Sequence, residues 1–172
     1  MSEITILNKP AEKICELDQT FDLVYLDPPF GLQRDFNMVE EDGREKGFSD
    51  SWESFDDYIN WYANIIIQAY YKLEKDGWMY LHNNFIGNAL VLSKVTPEIR
   101  DNFYTNISWK RSGPKNNIKN GWGNIVDSIM VIRKGNPYFE VEYSELDPVY
   151  AANSFKNKDE VGYYALAKVT GE

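Results

Sequence analysis

An α/β domain with a largely parallel sheet is predicted by three observations. Short apolar runs, rich in β-branched and aromatic residues, recur at 21–26 (FDLVYL), 78–81 (WMYL), 103–109 and 125–132 (IVDSIMVI). Between the first two lies a stretch whose apolar residues step by three or four. Strand, helix, strand, helix, strand is the order that places helices on a sheet.

Residues 4–7 (ITIL) read as a first strand. Pro10 suits an opening helical turn, and Ile14 and Leu17 give a short helix an apolar side. The run 21–26 reads as a buried strand and stops at Asp27-Pro28-Pro29-Phe30-Gly31, because two prolines cannot continue a ladder. Residues 33–53 are polar, acidic and without period, which predicts a long loop. Ser54 predicts a helix start, with Asp57 in the capping-box position. Its stripe is Phe55, Tyr58, Ile59, Tyr62, Ile65, Ile66, Ala69, Tyr70 and Leu73, and Gly77 ends it. Residues 85–95 predict a helix closed by Pro97. The last two strands are joined without a helix, so that pair is expected to be antiparallel.

Composition excludes several classes. With 172 residues and 43% hydrophobic content the chain is sized for one folded domain. No apolar run is long enough to span a bilayer, and the start lacks a signal-peptide pattern, so a cytoplasmic location is expected. One cysteine (Cys15) and one histidine (His82) exclude an intramolecular disulfide and a multi-histidine zinc site; no metal is expected. His82 itself reads as a satisfied structural histidine, Trp52 and Trp61 as core, and the acidic run 35–57 as a solvated face. Net charge is −9, yet residues 102–126 carry Lys110, Arg111, Lys115 and Lys119 and no acidic residue. Such a segment is either a solvated loop or a phosphate contact.

Asp27-Pro28-Pro29-Phe30 carries the chemistry. The plain alternative is a rigid turn. Its place at the carboxyl end of a strand, where open α/β sheets bind ligands, favours a site. The prolines fix φ and lack N–H groups, so the turn offers carbonyl acceptors beside the Asp27 carboxylate. Phe30 offers a stacking face. These parts suit an exocyclic amine on an aromatic base flipped from a duplex. Asp27 and the Pro28 carbonyl would hold its two N–H groups and turn its lone pair out of conjugation, by positioning alone.

FDLVYLDPPF resembles the strand and catalytic tetrapeptide of amino-methylating DNA methyltransferases. Residues 48–52 (FSDSW) with DDYINWY, 76–81 (DGWMYL), 107–110 (ISWK), VDSIMVIRKG and 155–163 are similar to segments that follow in that family. The resemblance implies a Rossmann-like fold, S-adenosylmethionine as methyl donor and DNA as partner. It implies Asp27, Pro28, Pro29 and Phe30 as catalytic, Asp27 and Asn8 at the cofactor, and Lys110, Arg111, Lys115 and Lys119 at DNA. Asp27 points to adenine N6 over cytosine N4. A tetrapeptide this early resembles the permuted beta class, which includes modification subunits of type III restriction systems.

That class implies 1–134 as the catalytic half and 135–172 as the start of a target-recognition region. No cofactor-binding glycine loop follows here, so the chain is expected to stop before it. The sheet would then lack the strands of the cofactor half, leaving an open edge for a second copy or a complementary half. A non-catalytic DNA-binding or partner-subunit module is the alternative; an RNA methyltransferase is disfavoured because only 26 residues precede the tetrapeptide.

Overall fold

The computed structural model describes residues 4–39, 42–43, 45–113, 119–140, 157–158, 160 and 163–164. The chain divides into two compact units, residues 1–138 and 139–172. The second contains a short antiparallel pair, Asn157–Lys158 with Tyr163–Tyr164.

The sheet of the first unit has four strands in the order β1 (Phe21–Leu26), β4 (Leu73–Asn83), β6 (Val126–Lys134), β5 (Phe103–Lys110). Only β1 and β4 form a parallel pair; β6 runs antiparallel to both its neighbours. The expected largely parallel sheet is therefore mixed. The reason lies in the connections: α1 (Phe55–Lys72) lies between β1 and β4, whereas no helix is described between β5 and β6, and strands joined without a crossover helix run antiparallel. The α/β class expected is kept, with α1 packed on a mixed four-stranded sheet. The other edge of β1 is unpaired among the described residues, and Leu23 and Tyr25 on it are exposed.

The helix α1 (Phe55–Lys72) starts where expected. Ser54 Oγ accepts from the Asp57 amide at 3.1 Å. The predicted stripe packs on one sheet face: Tyr58, Tyr62, Ile66 and Tyr70 meet Val24, Met79, Leu81, Met130 and Ile132. Lys134 Nζ donates to the carbonyls of Tyr70 (3.2 Å) and Leu73 (2.7 Å), satisfying the helix end with a cation.

Four expectations are corrected. Residues 4–7 form no ladder; Ile4 and Ile6 are 86% and 89% exposed, since among the described residues no strand pairs with them. Gly77 does not end α1. Leu73 turns extended (φ −76°, ψ 133°) and the strand begins there. Gly77 sits inside β4 because a Cβ would stand 2.7 Å from Leu73 Cγ. Pro97 does not close a helix but opens one: α2 (Phe85–Val91) ends earlier, and α3 (Pro97–Asp101) starts on Pro97 behind a Thr96 cap.

Finally, the segment 33–53 is not an unstructured loop. It is an antiparallel hairpin, β2 (Arg34–Val39) with β3 (Glu45–Asp50). Phe36 stacks on its cross-strand partner Phe48 with centroids 4.9 Å apart. Gly43 takes φ +79°, so Asp42-Gly43 was the hairpin signal in an otherwise patternless stretch.

Burial raises the phenols of Tyr58, Tyr62 and Tyr70 above the ordinary value of 10.0, with Tyr70 at about 12. A raised folded value means the neutral phenol stabilises the fold below pH 10.0 and that contribution is lost as pH climbs through the folded values. Stability is therefore expected to fall with pH above about 10 as these three phenols are forced to ionise, which denaturant melts across the alkaline range will read.

Candidate active site

Because β4 and β5 run in the direction of β1, the carboxyl ends of all three gather with the start of β6. Asp27, His82, Trp109 and Asp127 stand at that one end. Together with Phe30, Arg111 and Ser112 they line a cavity of about 390 Å³. Asp27 and Phe30 of the tetrapeptide thus line a cavity at the carboxyl end of β1.

The turn is held from two sides, by Asp50 and by Asn84. Asp50 is fully buried and accepts from the amides of Gly31 (3.0 Å) and Leu32 (2.7 Å) and from Trp52 Nε1 (3.1 Å). Asn84 caps α2 through the Gly87 amide (2.7 Å), while its Nδ2 donates to the Phe30 carbonyl at 3.1 Å. The adjacent Asn83 donates to Tyr58 Oη at 2.5 Å. Asp50 corrects the expectation that the whole acidic run 35–57 faces solvent: a carboxylate can be buried where N–H groups surround it.

Gly31 adopts φ +67°, and a Cβ there would lie 2.7 Å from Tyr58 Cδ1. Both the left-handed backbone and the ring exclude a side chain. Gly31→Ala is expected to cost about 2 kcal/mol, read as a shift in the denaturant midpoint at unchanged slope.

Within the cavity Asp27 is exposed and Phe30 half-buried. His82 is buried between rings, with centroids 5.3 Å from Phe30 and 5.3 Å from Trp109. Its Nδ1 lies 2.8 Å from Tyr25 Oη and 3.2 Å from Asp27 Oδ1. Its Nε2 faces Asp127 Oδ2 at 3.7 Å, and Arg111 Nη1 donates to that same oxygen at 2.9 Å. Burial, with Asp27 and Asp127 adding to it, raises the Tyr25 phenol above its ordinary value, so Tyr25 stays a neutral hydroxyl.

Of the residues expected at DNA, Arg111 lines the cavity and is held by Asp127. Lys110 and Lys119 are exposed; Lys115 lies outside the described residues. Asp50, Trp109 and Asp127 were not singled out from the sequence, and His82 was read there as a satisfied structural histidine. Each lies within or beside a predicted strand or the tetrapeptide's sequel, but only the fold brings them to one end.

Of the residues expected at the methyl donor, Asp27 lines the cavity and Asn8 is not among its lining residues. Asn8 is exposed in an irregular segment. The tight glycines Gly31, Gly77 and Gly87 face side chains of this chain, namely Tyr58, Leu73 and Asn83. Among the described residues these three glycines form no cradle for S-adenosylmethionine.

Residues 21–166 match the profile of the N6/N4 methyltransferase family described as DNA methylase. The type II methyltransferase M.EcaI of Enterobacter cloacae is 26% identical over 152 residues, covering 86% of this chain. The chain spans 32% of that relative's length. The crystal structure of the M1.HpyAVI–SAM complex is similar with a TM-score of 0.43 and 11% identity, over 80% of this chain and 56% of that one. The profile match takes in β1, the tetrapeptide turn and every strand around the cavity, and by it this chain belongs to the N6/N4 DNA methylase family.

Proposed function

We propose that this chain forms the base-binding side of an adenine-N6 DNA methyltransferase site, of the permuted class in which the catalytic tetrapeptide comes early. The observation that carries this reading is the single cavity joining Asp27, Phe30, His82 and Trp109. A flipped adenine enters it with its ring against Phe30. Its amino group donates to the Asp27 carboxylate and to the Pro28 carbonyl. Giving both protons to acceptors draws the nitrogen lone pair away from the ring, which makes the amine a better nucleophile. The rings of Phe30 and Trp109 exclude water from one side of the amine. The family's methyl donor is S-adenosylmethionine, and the residues described here act on the acceptor alone. A second copy of the chain, or a complementary half, is proposed along the open edge of β1.

Fluorescence anisotropy with single-stranded oligonucleotides tests the reading. Oligodeoxyadenylate is expected to bind about tenfold more tightly than an oligomer of purine deoxyriboside, which lacks the amino group. Equal affinities would refute it, and a preference for oligodeoxycytidylate would reassign the site to cytosine N4. Exposed Lys110 and Lys119 are proposed phosphate contacts. Changing both to Gln is expected to reduce the slope of log affinity against log salt by about 1.4.

A further inference from the structure

The cavity contains an ionisable group that the proposed reaction leaves without a role. His82 is the one histidine of the chain, and its side chain is 7% exposed. Burying an imidazole among aromatic rings is costly unless its nitrogens are used. Four polar groups face it: the Tyr25 hydroxyl from β1, the Asp27 carboxylate from the turn, and the Asp127 carboxylate with its Arg111 partner from the β6 side.

These neighbours decide where the proton sits. A carboxylate only accepts, whereas a hydroxyl can accept or donate. Without a proton, Nδ1 would point a lone pair at Asp27 Oδ1 from 3.2 Å. With one, it faces Asp27 Oδ1 at 3.2 Å and Tyr25 Oη at 2.8 Å, both of which can accept. The opposite nitrogen has less to offer. Asp127 Oδ2 already accepts from Arg111 at 2.9 Å, and its 3.7 Å separation from Nε2 is beyond a hydrogen bond. Nε2 is buried without a hydrogen-bond partner among the described residues.

We infer that His82 is the positioning residue of this site: its Nδ1–H fixes one oxygen of the Asp27 carboxylate, leaving the other to accept from the amino group of the base. Phe30 and Trp109 hold the plane of the ring, and Tyr25 shares the proton on Nδ1. Asp27 is 53% exposed, and an exposed carboxylate swings between rotamers unless something holds it. A second-layer hydrogen bond of this kind turns a mobile acceptor into an aimed one. The inference rests on the base-binding reading above, since it gives a purpose to the aim of Asp27.

Two measurements test it. In nitrogen NMR of the ring, a single histidine leaves no assignment ambiguity. At a pH where the ring is neutral, the proton is expected on Nδ1 in the wild-type chain; a proton on Nε2 would overturn the inference. The second is oligodeoxyadenylate affinity. His82→Ala is expected to lose about tenfold, whereas His82→Asn, whose Nδ2 can stand where Nδ1–H stood, keeps most of the binding. Equal losses in the two variants, or none in either, would overturn it. If the wild-type chain shows no preference for adenine over the purine lacking the amino group, the base-binding reading fails. The ring spectrum still decides whether His82 donates to Asp27.

Discussion

When the chain acts together with the complementary half proposed above, Asp27→Ala is expected to cut N6-methyladenine formation by a factor of about 100 to 1000, the range seen when one preorganised electrostatic contact to a reacting group is removed. The measurement is nucleoside analysis of DNA from a methylation-free host that co-expresses the complementary half with the variant or with the wild type. The size of the effect follows from what the residue does. An amine conjugated with an aromatic ring is a poor nucleophile, and its reactivity depends on both N–H groups being held. Alanine removes one of the two acceptors and leaves the Pro28 carbonyl alone. Asp27→Asn is expected to fall less, because a carboxamide oxygen still accepts, though without the charge. The turn itself survives either change, since its bracing comes from Asp50 and Asn84 rather than from Asp27. A fold intact by circular dichroism with methylation lost is the expected pair of results. Wild-type methylation in Asp27→Ala would remove this residue from the mechanism.

Asp50→Ala is expected to have the largest effect on stability, about 3 kcal/mol. The carboxylate is fully buried and accepts three hydrogen bonds, two from the backbone of the turn and one from Trp52. Losing it orphans three N–H groups, each costing about 1 to 3 kcal/mol if it stays buried. The full sum is not expected, because the loosened turn admits water and neighbouring losses do not add. Thermal melts are expected to shift down by roughly 10 °C for a unit of this size. Asn is a poor substitute here, since its NH₂ group would confront an N–H donor. Adenine binding is expected to weaken in step, because Gly31 and Leu32 anchor the end of the tetrapeptide. An unchanged melting curve would show that the turn does not depend on Asp50.

The elements with strong local signals were legible in the sequence. The stripe of α1 and its Ser54 cap, the strand before the tetrapeptide and the antiparallel β5–β6 pair are found where pattern placed them. The hairpin 34–50 was missed because its pairing is carried by one aromatic pair and a short turn in a stretch of acidic residues. Gly77 misled because a glycine after a helical stripe reads as a stop, while its actual use is close approach to Leu73. Residues 4–7 misled because apolar content marks a strand only where a neighbour exists to pair with it. The tetrapeptide could be read because its residues are consecutive. His82, Trp109 and Asp127 are not, and three strands must be paired before they meet. Asp50 looked like one more acid in an acidic run; only the three donors around it distinguish it.

The central claim is that Asp27 holds the amino group of the base. A thermodynamic cycle tests it most directly. The affinities of oligodeoxyadenylate and of the purine oligomer lacking the amino group are measured for the wild-type chain and for Asp27→Ala. The account predicts that the roughly tenfold preference of the wild type disappears in the variant, through loss of adenine binding alone. A preference that persists undiminished in Asp27→Ala would contradict it, because the amino group would then be read by some other residue.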